Sequence, residues 1–156
     1  MQLMNEIHIE TVRKYALQYN LDPALICAVV EQESNWDTYA ARYEPAFYKR
    51  YIQPLLDNGT VKTATEAMDR STSFGLMQVM GQTAREQGFT GQSLFRLCNP
   101  DVGLEMGCKV LRHKIDAAGG DLKAGLLLYN GGGAPEYPVE VLARMPKYQD
   151  RTVDHV

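Results

Sequence analysis

Two cap-and-proline pairs set the helical frame of this chain. Asp22-Pro23 and Asn99-Pro100 each put a side-chain acceptor at an N-cap and a proline at the first helical position. Leu25, Ile26, Val29 and Val30 follow the first pair and form a broad apolar face, in a helix expected to end near residues 34–36. Leu104, Cys108, Leu111 and Ile115 follow the second on one stripe, and Gly119-Gly120 ends it. Asp121 caps a further helix with Leu122, Leu126 and Tyr129 inward, stopped by Gly131-Gly132-Gly133. An earlier helix is marked by Ile9, Val12, Ala16 and Tyr19. A short one spans Gln82 to Gln87, and a last one runs from about Val139 to Tyr148. No strand-helix alternation calls for a parallel sheet. The expectation is a mainly α, compact helical bundle, one domain over residues 1–156.

The stretch from Tyr39 to Ser73 breaks this regularity. Tyr39, Tyr43, Phe47, Tyr48 and Tyr51 are interleaved with Arg42, Lys49 and Arg50, and Pro45 and Pro54 interrupt any long helix. Asn58-Gly59 is a turn signal. Short helices are expected here, with at most a small irregular β-hairpin.

Composition narrows the function classes. The 156 residues are 45% hydrophobic and 22% charged, which excludes global disorder. Sixteen Lys and Arg against nineteen Asp and Glu give a net charge of -3, so no basic footprint for nucleic acid is present. No apolar run is long enough to cross a bilayer. The first residues, Met1 to His8, lack the basic start and continuous apolar stretch of an export signal. Three cysteines, Cys27, Cys98 and Cys108, do not make a disulfide framework, and whether Cys98 and Cys108 pair is left to geometry. With three scattered histidines (His8, His113 and His155) and no Cys-x-x-Cys, a zinc site is not expected.

Three segments carry chemistry. In Glu31-Gln32-Glu33-Ser34, Glu33 continues the stripe of Ile26 and Val30 at helical spacing. A carboxylate on a buried face, near the negative end of the helix dipole, has its protonated form favoured. A carboxylic acid still protonated near neutral pH is what a general acid requires. The plain alternative is a helix-end Glu bonded to a nearby backbone group. Glu31, offset by two residues, is expected to face solvent. In Ser71 to Met80, Gly75 permits close backbone approach, Gln78 offers an amide for hydroxyl or acetamide recognition, and Met80 packs on a sugar face or fills core. In Leu127 to Gly133, Tyr129 ends an apolar helix with a hydroxyl able to reach a buried partner. The glycines after it make a bare groove wall or a plain helix C-cap. They are not a phosphate loop, since no Lys-Ser or Lys-Thr follows.

Taken in order, Glu33-Ser34, Gly75-Leu76-Met77-Gln78 and Tyr129-Asn130-Gly131-Gly132 resemble the motifs of the soluble lytic transglycosylase and goose-type lysozyme family. That pattern is an acid followed by Ser, then Gly-Leu-Met-Gln, then Tyr-Asn-Ala-Gly; Gly131 replaces the Ala. Asn99-Pro100, Gly103, Gly107 and Leu111 also resemble the family's intervening helix. The resemblance covers about residues 21–148, and the link from Asn35 to Phe74 is longer than in many bacterial members. It implies a lysozyme-like fold around a substrate groove, with peptidoglycan glycan strands as the partner and a monomer as the working form. Glu33 becomes the catalytic acid and then base. Tyr129 hydrogen-bonds near Glu33. Gln78, Met80, Ser73 and Asn130 line the subsites, and Ser34 closes the helix end. Asp69 matches a place where goose-type lysozymes carry a water-positioning acid, or else is a solvated partner of Arg70. Glu44 is a second such candidate.

The implied reaction cleaves the β-1,4 bond between N-acetylmuramic acid and N-acetylglucosamine, leaving a 1,6-anhydro end without consuming water, and needs no cofactor. The alternatives are hydrolysis of lysozyme or chitinase type through Asp69 or Glu44, and a glycan-binding or structural domain without turnover. The absence of an export signal raises the question of how such an enzyme reaches the wall. Phage lysis, a virion or cleavage from a longer exported protein would each answer it.

Overall fold

The computed structural model describes residues 2–153, the side chains of residues 2–7 excepted. His155, one of the three histidines considered as ligands, lies outside the described residues.

Helix α1 (Gln2–Gln18) packs beside α2 (Pro23–Ser34). The Asp22 side chain accepts from Ala24 N at 2.8 Å, and Pro23 opens the helix as expected. Seven consecutive residues, Ala24 to Val30, are buried, so α2 is the central helix of the core. Each fully buried Val on it contributes about 1.5–3 kcal/mol. The helix stops where Asn35 (φ 48°) and Trp36 (φ 65°) turn left-handed. Trp36 is buried, and its indole donates to Tyr148 Oη at 3.0 Å.

The expected small β structure has three antiparallel strands: β1 (Ala41–Tyr43), β2 (Thr72–Phe74) and β3 (Val79–Met80), in that order. Between β1 and β2 lie α3 (Pro45–Phe47), a π-helical turn (Tyr48–Ile52), α4 (Gln53–Asp57) and α5 (Ala64–Arg70). This insertion has its own small core of Ile52, Val61 and Ala67, with Phe47 and Tyr48 packed against it. The aromatic cluster is thereby divided: Phe47 and Tyr48 support the insertion, while Tyr39, Tyr43 and Tyr51 stay exposed.

After α6 (Gly81–Glu86) and a 3-10 turn (Leu94–Cys98) comes α7 (Pro100–Ala117), capped by Asn99. A Cβ at Gly107 would fall 2.4 Å from Met77 Sδ, so glycine lets α7 press on the β2–β3 loop. α8 (Leu122–Asn130) is capped by Asp121. The expected last helix is two: α9 (Tyr137–Arg144) and α10 (Pro146–Gln149). Pro146 supplies no N–H and interrupts the ladder there. All three cysteines are free and buried, with the Cys27 and Cys108 thiols pushed up to about 12 by burial.

Candidate active site

A groove of about 490 Å³ opens between the end of α2, the three-stranded sheet, α7 and the C-terminal end of α8. Glu33, Glu44, Ser73, Gln78, Met80, Tyr129 and Asn130 all line it. Asp69 does not. The groove thus brings the three motif-bearing segments together with Glu44, although they lie far apart in sequence.

The sheet builds one wall. Arg42 pairs in register with Ser73, and Ser73 with Met80. Directly opposed residues share a face of the sheet. The row Arg42-Ser73-Met80 therefore faces the groove as a unit. Their neighbour Phe74 turns into the core.

Two hydroxyls hold the loop between β2 and β3. Ser34 Oγ lies 2.8 Å from Leu76 O and 3.0 Å from Val30 O. Tyr129 Oη donates to Met77 O at 2.7 Å. Consecutive carbonyls of the loop are thus tied to the ends of α2 and α8. Gly75 (φ +77°) starts the loop, and a Cβ there would fall 2.4 Å from Leu97 O. Gln78 (φ 49°) ends it, its amide nitrogen donating to Ala40 O and Gly75 O, both at 3.0 Å. The amide nitrogen expected to meet substrate is therefore committed to the backbone. Asn130 Oδ1 likewise accepts from Ala134 N at 3.2 Å. Gly131 (φ 89°) and Gly132 (φ 79°) form the C-cap of α8, with open space where their side chains would be.

Glu33 sits in the last turn of α2. Burial pushes its carboxyl above the ordinary carboxylate range, opposed by a hydrogen bond from Tyr137 and by the charge of Arg42. Tyr137 Oη donates to Glu33 Oε1 at 2.6 Å. Burial and the Glu33 charge raise the Tyr137 phenol far above its usual value, so it stays a donor. Tyr129, expected to hydrogen-bond near Glu33, is close enough for the Glu33 charge to act on it, and its hydroxyl goes to Met77 O and not to the carboxyl. Sequence reading missed Tyr137. Its place four residues after Gly133, at the start of α9, carried no sign of which partner it would meet.

Of the two further carboxylates, Glu44 faces the groove and pairs with Arg42 Nη2 at 2.6 Å. Asp69 sits on α5 away from the groove, its carboxyl raised by burial and by the nearby Glu66. Arg70, its expected partner, bonds Glu66 at 2.8 Å instead. Geometry decides here, because Glu66 is four residues before Arg70 on the same helix face.

Glu31 does not face solvent. Its side chain is 15% exposed and meets Lys147 Nζ at 2.5 Å, Arg144 Nη1 at 3.4 Å and the donating hydroxyl of Tyr148 at 2.9 Å. Burial pushes its carboxyl up, but these partners outweigh that and hold it below the usual range. Gln32 adds bonds to Arg144 and Glu140. The surface beside α2 is covered by α9 and α10, which the helical pattern alone did not place there.

A family model described as the transglycosylase SLT domain matches residues 10–138. A transglycosylase of Enterobacteria phage PRD1 is 30% identical over 123 residues, which is 79% of this chain. The chain spans about a third of that protein's length, 34%. No solved structure matches.

Proposed function

The chain belongs to the transglycosylase SLT domain family, and from that premise we propose that it cuts the β-1,4 bond between N-acetylmuramic acid and N-acetylglucosamine in peptidoglycan. Glu33 is its catalytic acid and then its base. The observation that carries this reading is the state of Glu33: a carboxyl raised by burial, lining an open groove, with one oxygen fixed by Tyr137.

Protonated Glu33 gives its proton to the bridging oxygen as the glycosidic bond breaks, and positive charge develops at the anomeric carbon. The substrate's own acetamido oxygen stabilises that carbon. Ionised Glu33 next takes the proton of the same sugar's C6 hydroxyl, whose oxygen closes the 1,6-anhydro ring. The proton lost in the first step is regained in the second, so Glu33 ends as it began. Tyr137 keeps donating throughout and gains most when Glu33 is charged, as a donor to a carboxylate should.

A single working carboxylate fits the groove. Asp69 lies outside it, and Glu44 has an oxygen engaged by Arg42. The hydrolytic alternative therefore narrows to Glu44, freed from Arg42 to activate water. The described residues serve as one catalytic domain, acting as a monomer on glycan strands at the bacterial wall. Among them no helix is long and apolar enough to cross a membrane.

The products decide between the two outcomes. Purified peptidoglycan is digested and the fragments are weighed. Anhydro ends are lighter than reducing ends by one water, and fragments bearing only reducing ends would exclude the transglycosylase reaction in favour of hydrolysis.

A further inference from the structure

We infer that Lys114 and Thr83 form the point of the groove that binds a carboxylate of the glycan, and so select acidic strands over neutral ones. This rests on the reading of the groove as a glycan-cleaving site.

The protein carries a net charge of -3, so no overall field draws in an anionic polymer. Recognition of a substrate carboxylate has to be local. Two cations line the groove, Arg42 and Lys114. Arg42 is engaged by Glu44 at 2.6 Å. The Lys114 ammonium forms no ion pair or hydrogen bond among the described residues, and neither does the Thr83 hydroxyl. Lys114 comes from the last turn of α7 and Thr83 from α6, and both line the same groove as Glu33. An ammonium and a hydroxyl without partners, lining one groove, are the donors a carboxylate takes.

The carboxylate is the shared chemistry of two sources: the lactyl ether of the muramic sugar and the peptide stem attached to it.

The test measures binding and turnover for the wild type, Lys114→Gln and Lys114→Arg. The substrates are peptidoglycan strands with stems, strands stripped of stems, and neutral chito-oligosaccharide. Lys114→Gln is expected to raise KM and Kd on stripped strands by roughly tenfold, with kcat little changed. Lys114→Arg keeps the charge and restores most of the loss. Chito-oligosaccharide binding stays as in the wild type. A loss confined to stem-bearing strands supports the site and assigns the carboxylate to the stem. Equal losses on acidic and neutral glycans, or no loss on any, overturn it. Binding separates this proposal from the one beneath it: a wild type that binds stripped strands without cutting them refutes the enzyme reading, while the Lys114 comparison still holds. A wild type that neither binds nor cuts refutes both.

Discussion

Tyr137 donates to Glu33 at 2.6 Å across 104 residues of sequence, joining the first turn of α9 to the last turn of α2. This contact fixes the orientation of one carboxyl oxygen and leaves the other free for the groove. It also lowers the affinity of Glu33 for its proton, against the larger opposing effect of burial. These two effects, with the charge of Arg42, set how much of the acid form exists at a given pH.

Removal of the Tyr137 hydroxyl should therefore move the pH profile in a definite direction. In Tyr137→Phe the larger of the two effects that lower the Glu33 pKa is gone, and burial, opposed now by Arg42 only, holds it higher. Activity that needs protonated Glu33 should persist to higher pH than in the wild type. Its maximum should fall by about tenfold as the carboxyl loses its fixed geometry. A pH-rate profile of kcat/KM reads both. An alkaline limb that moves to lower pH would contradict the assignment.

Glu33→Gln keeps the shape of the side chain and removes its proton transfer. Turnover should drop by roughly a hundredfold or more, with the circular dichroism spectrum unchanged. The same variant tests linkage. A carboxyl whose folded pKa is raised binds more protons in the folded state than in the unfolded one between the two values. Stability is then fully present below the unfolded value and is lost as pH rises through the folded one. Urea midpoints should show the wild type losing ground to Glu33→Gln as pH rises above the ordinary Glu range. A constant difference across pH would argue against a raised Glu33.

Glu31 behaves in the opposite sense. Its folded pKa is lowered, so its contribution is present above the unfolded value and is lost as pH falls through the folded one. Glu31→Gln removes the negative charge that Lys147 and Arg144 meet and replaces one acceptor oxygen with a donor, and should destabilise the fold by about 1–3 kcal/mol at neutral pH. The difference from wild type should shrink in acid. Chemical denaturation at several pH values measures it.

Gly75→Ala meets two obstacles at once. The backbone sits at φ +77°, and the new Cβ would lie 2.4 Å from Leu97 O. The left-handed conformation alone costs an alanine about 1 kcal/mol or more, and the clash adds to it. A lowered melting temperature is expected, together with weaker turnover, because the same loop carries Gln78 and the carbonyls held by Ser34 and Tyr129. Gly133→Ala, where nothing lies within 4 Å of the added carbon, is the matched control and should melt as the wild type does.

The sequence by itself determined the helical frame. Asp22, Asn99 and Asp121 cap α2, α7 and α8 as their residue types require, because a capping bond reaches only two or three positions along the chain. Glu33 was legible for the same local reason: helical spacing from Ile26 and Val30 puts it on the buried face whatever packs there. The matching family motifs placed Gly75, Gln78 and Tyr129 near it, and all but the glycine line the groove. What only the tertiary structure decided are the partners. Tyr137 rather than Tyr129 holds Glu33, Glu44 rather than Asp69 enters the groove, and Glu31 is enclosed by α9 and α10. Each depends on how elements far apart in sequence come together. Spacing within one helix says which face a side chain occupies, and only packing says what meets that face.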